Sequence, residues 1–341
     1  MDEGSYARNR RRVVEEMRVL VTGNSGLLGS HLVDRLLEEG HQVFGMSKTI
    51  RNLNTKIVNA KVDLRDIDKT ARIIAKIEPE IVFHLAANAA EGKSMFSPID
   101  ITTNGINTFY NVLVPSIRAG KLKRFVFTSS IAVYGSIHVP FREADLPLPQ
   151  DLYGINKLSV EQALRVMSKV HGFEYTVVRP HNVTGPRQNM SDPYRNVVTL
   201  FMNELLKGNA YSIYGNGEMR RCFSYVKDVV DIIYRCGFEN VSGMTFNVGS
   251  DKDYSINELS DMIQEVSGIR IKPNYLPDRV QEVHTAIADH TLVKKVFGYI
   301  DTPLRQAIEE TWASCKAQGP QEYTYTDLEI PSNLAPSNWK R

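Results

Sequence analysis

The chain has 341 residues, of which 42% are hydrophobic and 23% are charged, and these values are ordinary for a globular protein. Such a length predicts one large domain, or two lobes that share a core. The formal net charge of +2 gives no reason to expect nucleic acid or a membrane surface as a partner. The sequence also lacks a run of roughly 18 apolar residues, so no membrane-spanning segment is predicted.

The start of the chain and its cysteines bear on localisation. Residues 1–16 are polar and arginine-rich and lack the apolar segment of a secretory signal, which predicts a disordered leader. Cys222, Cys236 and Cys315 have no metal-ligand spacing. They are typical of reduced thiols in a cytoplasmic protein, and we predict no metal site.

From residue 17 onward, short apolar runs alternate with stretches of helical apolar spacing. Such alternation predicts right-handed crossovers and a parallel sheet that is covered by helices on both faces. The predicted strands are 18–22, 41–46, 56–62, 81–85, 124–128 and 175–178, and the predicted helices between them are 27–39, 66–77, 104–119 and 153–171.

After Arg179 the pattern changes to helices separated by loops rich in proline and glycine. Helices are predicted over 197–207, 256–267 and 303–316. The segments 225–238 and 245–248 are expected to return to the first sheet, and the polar tail after Gln318 is expected to wrap the surface. We therefore predict an α/β fold with a doubly wound parallel sheet and a smaller mixed α/β C-terminal lobe. The predicted domains are 17–181 with returns near 223–250, and 182–222 together with 251–341.

A glycine-rich loop separates the first predicted strand from the first predicted helix. Gly23 permits a tight turn, Gly26 lets the backbone approach a pyrophosphate, and Gly29 allows the helix to pack closely on the sheet. The start of a helix also presents free N–H groups to phosphates. The loop therefore predicts a Rossmann-type dinucleotide site, and its other predicted contacts are Ser25, Leu27 and Leu28.

The end of the second predicted strand bears on the choice of cofactor. A carboxylate there usually binds the ribose hydroxyls of NAD. This chain instead has Ser47 and Lys48, with Arg51 close by. Cations attract a 2′-phosphate, so the sequence favours NADP over NAD, although solvated loop cations are the alternative. Asp63, after the third strand, is predicted to accept the adenine amino group.

A tyrosine and a lysine stand four residues apart at the start of the fourth predicted helix. Tyr153 and Lys157 therefore face the same side of that helix. An ammonium near a phenol favours the phenolate, which is the form that acts as a base. Ser129 and Ser130 follow the fifth predicted strand, at the sheet edge where ligands bind in such folds. A hydroxyl there would share a substrate oxygen with the tyrosine.

Four further motifs occur along the chain: Phe83–Ala87, Thr128–Ser130, Val133–Gly135 and Arg179–Pro186. With the glycine loop and the Tyr–Lys pair, the chain resembles the extended short-chain dehydrogenases/reductases that act on nucleotide sugars. The likeness is to UDP-glucose 4-epimerase and its relatives, and it covers about residues 17 to 315. It implies a bound nicotinamide cofactor, a nucleotide-sugar substrate (most simply a UDP-sugar) and a homodimer built on the helices 104–119 and 153–171.

The resemblance also implies residue roles. Tyr153 would be the base for the sugar 4-hydroxyl, Lys157 would lower its pKa and hold the nicotinamide ribose, and Ser130 would share the substrate hydrogen bond. Asn182 would lie beside the substrate, and Arg221 and Arg279 would grip the diphosphate, as forked guanidinium donors do. The remaining implied cofactor contacts are Leu64, Leu85, Ala86, Ala87, Asn104, Thr128, Ser129 and Pro180.

The residues after Ser130 bear on the reaction. The dehydratases of the family carry an acid pair there, and the decarboxylases carry a glutamate two positions on, whereas this chain has Ile131 and Ala132. Without a carboxylate at that place, 4-epimerisation through a 4-keto sugar is the simplest expectation. A carboxylate could still come from Glu91 or Glu143, so a 4,6-dehydratase reaction is an alternative. Epimerisation at another carbon, keto-sugar reduction and a non-catalytic dinucleotide-sensing module also stay open.

Overall fold

The computed structural model describes residues 15–49, 51, 54–195, 197–279, 283–336 and 339. The predicted leader lies outside this range except for its last two residues. Within the described residues no helix is long and apolar enough to cross a membrane. The same part of the chain contains no group of three histidine, cysteine or acidic side chains that is placed to hold a metal ion.

The first half of the chain forms alternating strands and helices, as the sequence predicts. The strands are β1 (Arg18–Thr22), β2 (Gln42–Ser47), β3 (Val58–Lys61), β4 (Ile81–His84), β5 (Arg124–Thr128) and β6 (Glu174–Pro180). The helices are α1 (Leu27–Glu38), α2 (Ile67–Ile77), α3 (Glu91–Ser94), α4 (Pro98–Thr102), α5 (Thr108–Arg118) and α6 (Leu152–His171).

The second half is mixed and contains many short strands. These are β7 (Val183–Thr184), β8 (Ser212–Tyr214), β9 (Arg220–Cys222), β10 (Ser224–Tyr225), β11 (Thr245–Val248), β12 (Asp253–Ser255), β13 (Asn274–Leu276) and β14 (Thr285–Ala286). The helices are α7 (Val197–Lys207), α8 (Val226–Phe238), α9 (Ile256–Ser267), α10 (Thr291–Phe297) and α11 (Leu304–Gln318).

A seven-stranded sheet organises the first lobe, with the order β11-β6-β5-β4-β1-β2-β3. Every adjacent pair in it is parallel. The order reverses between β1 and β4, and parallel sheets of this kind bind ligands at that switch point. The predicted doubly wound α/β fold is therefore confirmed.

Apolar side chains cover both faces of the sheet. One core cluster joins α1 and α8 to the strands and includes Leu32 and Ile233, both fully buried. The other joins α2, α5 and α6 to the opposite face and includes Val112 and Leu164. The strands are nearly continuous apolar runs because a parallel sheet between two helical layers has no solvated face.

Capping residues determine where α6 begins and ends. The Asp151 carboxylate accepts a hydrogen bond from the Gly154 backbone N–H at 2.7 Å, which satisfies a donor in the first turn. At the other end Gly172 adopts a left-handed conformation with φ 73°. The cap places Tyr153 and Lys157 in the first two turns of the helix.

Three details differ from the sequence-based expectation. The segment predicted as one helix over 104–119 begins earlier, because α4 runs into a π-helical turn (Thr103–Asn107) before α5. Of the segments expected to return to the sheet, only β11 joins it, whereas 226–238 is the helix α8 that covers it. Helix α10, assigned from sequence to the second lobe, packs Val293 and Phe297 into the core of the first.

The second lobe has a core of its own. Helices α7, α9 and α11 pack together around Phe201, Leu259 and Ile308, which are all buried. The short strands β8 with β13, and β9 with β12 and β14, border this core. The lobe follows β6 in the chain, so its first residues extend from the carboxyl edge of the sheet.

Candidate active site

The glycine loop between β1 and α1 is tightly packed. Gly23 has φ +70°, and a Cβ there would lie 2.9 Å from the backbone nitrogen of Ala86. A Cβ on Gly29 would collide with the carbonyl oxygen of Gly23. Only glycine fits these two positions, which accounts for the spacing seen in the sequence.

Helix α1 begins without a side-chain cap. Its N-cap residue is Gly26, and its first turn carries no acidic residue. The first N–H groups of a helix have no partner within the helix, and they favour an anion through the helix dipole. The loop and the helix start therefore fit a pyrophosphate, and Ser25, Leu27 and Leu28 lie at this point as expected.

Ser47 and Lys48 lie beside the glycine loop. The buried Ser47 hydroxyl donates to Asn24 Oδ1 at 2.7 Å and accepts from the Ser25 N–H at 3.1 Å. Lys48 is 64% exposed, and its ammonium lies 3.4 Å from the Asp63 carboxylate. Arg51 is exposed. Lys48 thus provides positive charge at the end of β2, where a ribose-binding carboxylate would otherwise stand.

Asp63 is less available for an adenine than the sequence suggests. Its carboxylate accepts hydrogen bonds from the Arg65 guanidinium, with Nη2 at 2.6 Å, and from the Arg65 backbone N–H at 3.1 Å. These hydrogen bonds hold the pKa of Asp63 well below its usual range. The group is therefore a charged acceptor that is already shared with two cations, Arg65 and Lys48.

Tyr153, Lys157 and Ser130 come together at the carboxyl edge of the sheet. Tyr153 is 7% exposed, and the nearby Ser130 side chain lowers the pKa of its hydroxyl against the larger effect of burial. Lys157 is equally buried and donates from Nζ to the Thr128 carbonyl at 2.7 Å. Its Nζ lies 5.6 Å from the centre of the Tyr153 ring. A group of polar side chains is thus held by β5 and α6 inside an apolar environment.

Burial controls the proton affinities of this pair. It raises the pKa of Tyr153 above its ordinary value, with a smaller contribution from the negative charge of Glu91. It lowers the pKa of Lys157 to about 8, against the opposing charge of Glu161. The lysine alone therefore does not bring the tyrosine to a low pKa in this arrangement, which differs from the simple sequence-based expectation.

A narrow cavity adjoins the pair, and its lining includes Ala86, Ala87, Tyr153 and Lys157. The buried Thr128 hydroxyl has no hydrogen-bond partner among the described residues. Thr128 directly follows Phe127, which lines the cavity, and a buried polar atom without a partner leaves a hydrogen bond available to a polar ligand. Together with the glycine loop, it fits a nicotinamide dinucleotide. The other implied contacts are distributed over the same edge of the sheet or the helix beside it: Leu64, Leu85, Asn104, Ser129 and Pro180.

The predicted substrate residues lie in the second lobe. Asn182 has φ 40° and donates from its amide to the Cys222 carbonyl at 2.9 Å. Arg221 donates from Nη1 to the His284 carbonyl at 2.9 Å. Arg279 stacks on Tyr214, 4.8 Å from the ring centre, beside an open cavity of about 540 Å³. In this structure Asn182 and Arg221 use hydrogen bonds on backbone carbonyls, and their roles toward a diphosphate stay predictions.

Sequence reasoning missed the buried network next to Ser129. Glu161 binds the Ser129 hydroxyl and the guanidinium of Arg179, with Arg179 Nε at 3.0 Å. Arg179 also donates to the Tyr134 hydroxyl at 2.7 Å. The one available signal is that Glu161 lies four residues after Lys157 on the same face of the helix.

Glu91 and Glu143, the two carboxylates that would allow a dehydratase reaction, occupy different places in the structure. Glu143 accepts a hydrogen bond from the Asn247 N–H at 2.8 Å, at the edge strand β11. Glu91 begins α3, and its charge acts on Tyr153. Of these two carboxylates, Glu91 is the one whose charge acts on Tyr153, and the positions after Ser130 are the apolar Ile131 and Ala132.

A Rossmann-type sheet with a glycine loop, a buried Tyr–Lys pair and a second lobe defines a nicotinamide-dependent enzyme class. The model of the NAD dependent epimerase/dehydratase family matches residues 19–249. The chain belongs to this family. The predicted resemblance is confirmed at this level.

Individual relatives agree with the family assignment. UDP-glucose 4-epimerase of Mycolicibacterium smegmatis is 34% identical, over 83% of this chain and 93% of that protein. UDP-N-acetyl-alpha-D-glucosaminuronate decarboxylase of Bacillus cytotoxicus is 30% identical, over 76% and 83%. The crystal structure of UDP-glucose 4-epimerase with UDP-glucose from Thermotoga maritima superposes with a TM-score of 0.82 at 33% identity, covering 88% of this chain and 99% of that one. Relatives thus include both epimerases and decarboxylases.

Proposed function

We propose that this protein is a UDP-hexose 4-epimerase. The observation that carries the proposal is the buried group of Ser130, Tyr153 and Lys157. The two residues after Ser130 are Ile131 and Ala132, where dehydratases and decarboxylases of the family would need a carboxylate. The similarity to proteins named UDP-glucose 4-epimerase supports the same reaction.

The residues of the chain would share the chemistry as follows. Tyr153 takes the proton of the sugar 4-hydroxyl and later returns it, while Ser130 hydrogen-bonds the same oxygen. Lys157 supplies the positive charge that favours the phenolate. A nicotinamide cofactor held by the glycine loop supplies the acceptor and donor of the C4 hydride. The 4-keto sugar must turn between the two transfers, so that the hydride returns to its other face.

A second reaction is favoured by one observation. The charge of Glu91 acts on Tyr153, so a carboxylate stands near the reacting centre, and the relatives include a decarboxylase. An acid or base there would permit removal of water or carbon dioxide from the keto sugar. Incubation with UDP-glucose, UDP-N-acetylglucosamine and UDP-glucuronic acid, followed by NMR, separates the reactions. A 4-epimer of unchanged mass supports the proposal, whereas only dehydrated or decarboxylated products contradict it.

We further propose that the site accepts NADP at least as tightly as NAD. The family description names NAD, and nothing in the comparisons favours NADP. The argument is electrostatic, because Lys48 stands at the end of β2 in place of a carboxylate that would repel a 2′-phosphate.

Reversing the charge at Lys48 tests this preference. In Lys48→Glu we expect the dissociation constant for NADP to rise about tenfold relative to that for NAD, which corresponds to about 1.4 kcal/mol. Isothermal titration with both dinucleotides measures the ratio. The matched control is Lys76→Glu, an exposed lysine in the last turn of α2 at the opposite edge of the sheet. A wild-type protein that binds only NAD contradicts the proposal.

A homodimer is the proposed assembly. Helix α6 exposes an apolar stripe, with Ile155 46%, Val166 55% and Val170 69% exposed, and Tyr110 on α5 is 39% exposed. The spacing places the three α6 residues on one side of the helix. Val166→Asp should shift the mass measured by light scattering from dimer to monomer. Ile300→Asp, at a site 84% exposed between α10 and α11, should leave it unchanged. A monomeric wild-type protein overturns this proposal.

A further inference from the structure

The segment after α11 returns across the second lobe to the active site. We call residues 319–336 and Trp339 the C-terminal strap. Its beginning is held by Asn203, which is fully buried and forms hydrogen bonds of 2.8 Å with both the N–H and the carbonyl of Gln321. Further along, the Thr324 N–H donates to the Ser191 carbonyl at 2.8 Å. The strap is therefore bound to the lobe at specific points rather than only lying on its surface.

The middle of the strap is clamped by Tyr194 and Lys93. The Tyr194 hydroxyl donates to the Thr326 carbonyl at 2.8 Å and accepts from the Thr326 N–H at 2.9 Å. The Lys93 ammonium, which is 4% exposed, donates to the Thr326 hydroxyl at 2.6 Å. Lys93 belongs to α3, in the segment that follows β4 in the first lobe. The clamp thus joins the strap to the loop after β4 in the other lobe.

Two further contacts hold the strap against the same loop. The Glu329 carboxylate accepts from the N–H groups of Ile99 at 2.7 Å and Asp100 at 2.8 Å, in the first turn of α4. The Ile330 N–H donates to the Phe96 carbonyl at 2.9 Å. A carboxylate at a helix start satisfies donors that would otherwise lack partners. Residues far apart in sequence are thereby held together beside the catalytic tyrosine.

Trp339 is the large side chain at the end of the strap. It is 4% exposed and packs edge-on against the Tyr194 ring at 5.3 Å. It belongs to the same apolar cluster as the catalytic Tyr153, together with Ala90 and Phe96. A Cβ built on Gly92 would lie 3.0 Å from the indole and 3.7 Å from Arg279 Nη1. The indole therefore lies near both the catalytic tyrosine and the arginine expected to bind the diphosphate.

We infer that the C-terminal strap closes the sugar side of the active site and that Trp339 is a specificity-determining residue that contacts the hexose. The inference rests on the proposed function, in which Tyr153 meets the sugar C4 oxygen and Arg279 meets the diphosphate. The sugar spans the distance between those two groups, and Trp339 lies beside both of them. A flat apolar ring fits against the carbon-bound hydrogens of a hexose and limits the size of its substituents.

Binding measurements with Trp339→Ala test the inference without any turnover. We expect the dissociation constant of UDP-glucose to rise about tenfold, or about 1.4 kcal/mol, while that of UDP, which lacks the sugar, changes by less than about twofold. Leu334→Ala is the matched control, because Leu334 belongs to the same strap but is 65% exposed. Equal changes for UDP and UDP-glucose, or no change for either, overturn the inference.

A second variant distinguishes the loss of a sugar contact from a general destabilisation of the protein. Tyr194→Phe keeps the ring beside Trp339 but removes both hydrogen bonds to Thr326. It should raise the dissociation constant of UDP-glucose in the same direction, by a smaller factor, and leave UDP unchanged. An unchanged UDP-glucose affinity in this variant and in Trp339→Ala would show that the strap does not form the sugar site.

Turnover supplies an independent readout. In Trp339→Ala the ratio of kcat/KM for UDP-N-acetylglucosamine to that for UDP-glucose should rise about tenfold, because the larger substituent gains room. A uniform rise for all sugars would instead identify the strap as inhibitory and overturn the inference. If the wild-type protein binds UDP-glucose without epimerising it, the proposed reaction fails, but the binding result for Trp339 still decides the role of the strap.

Discussion

Replacing Tyr153 by phenylalanine should lower kcat by about a thousandfold with the proposed substrate, within the range of 10² to 10⁴ typical for a general acid–base group. The ring packs in an apolar cluster, and the substitution removes only the hydroxyl oxygen, whose pKa Ser130 lowers. The affinity for UDP-sugars and the free energy of unfolding should change little. The effect would therefore be confined to kcat, which steady-state kinetics measures directly.

Tyr299→Phe is the matched control. Tyr299 is a buried tyrosine of the sheet core, and its hydroxyl has no hydrogen-bond partner among the described residues. The same chemical change there should leave kcat within about twofold of the wild type, as expected for a site away from the chemistry. If Tyr153→Phe retained more than a tenth of the wild-type kcat, the base would have to be another group. Unchanged biological activity would favour the non-catalytic sensing module.

The buried pair also predicts a pH dependence. The active form needs a deprotonated Tyr153 and a protonated Lys157, which is one proton fewer than the pair carries at low pH. Burial lowers the pKa of Lys157 to about 8 and raises that of Tyr153, so the first proton leaves the pair near pH 8. A small, constant fraction of the singly deprotonated pair has the proton removed from Tyr153 rather than from Lys157, so kcat/KM should rise with pH toward about 8 and then level. A fall in kcat/KM through the same range would contradict this assignment.

The sheet and the juxtaposition of Tyr153, Lys157 and Ser130 could be predicted because their signals are local. Apolar runs, the glycine spacing and the i, i+4 relation of Tyr153 and Lys157 each need only neighbouring residues. The carboxyl ends of parallel strands meet at one edge, so Ser130 was expected near them. The fold class and the family are confirmed, whereas the residue roles stay predictions.

The features that were missed depend on contacts between residues far apart in the chain. Glu161 meets Arg179 across the junction of α6 and β6, and only the folded arrangement makes that pair visible. The tail was expected to wrap the surface, and nothing in its local pattern indicated that Trp339 would be buried near Tyr153. The π-helical turn before α5 was equally invisible, because apolar spacing does not distinguish it from an α-helix.

The loss of the Glu161 carboxylate should lower the stability of the protein substantially. Its carboxylate and the Arg179 guanidinium are 7% and 5% exposed and approach to 2.5 Å, and the Ser129 hydroxyl also donates to the carboxylate. Glu161→Gln removes the charge and leaves Arg179 buried without its counter-ion. Breaking a buried pair in this way costs about 3–5 kcal/mol. Urea denaturation should show that loss in the free energy of unfolding.

A surface pair provides the comparison. Glu265 and Arg305 are 47% and 53% exposed, so Glu265→Gln should cost less than about 1 kcal/mol, because solvent screens such pairs. A cost of that size for Glu161→Gln as well would mean that the buried network carries little of the stability of the sheet edge. The difference between the two losses in the free energy of unfolding therefore measures how much the buried network stabilises the protein.

The same variant has a catalytic consequence that a purely structural role would not produce. Glu161 raises the pKa of Lys157 against the lowering caused by burial, so its neutral replacement should lower that pKa below about 8. The rising limb of kcat/KM should then move to lower pH, and the level above it should fall, because the charged lysine becomes rarer beside a deprotonated tyrosine. An unchanged limb in a folded Glu161→Gln protein would assign Glu161 to the architecture alone. If the rise of kcat/KM moves to lower pH, Glu161 is a positioning residue that links Arg179 of β6 to the Tyr153–Lys157 pair.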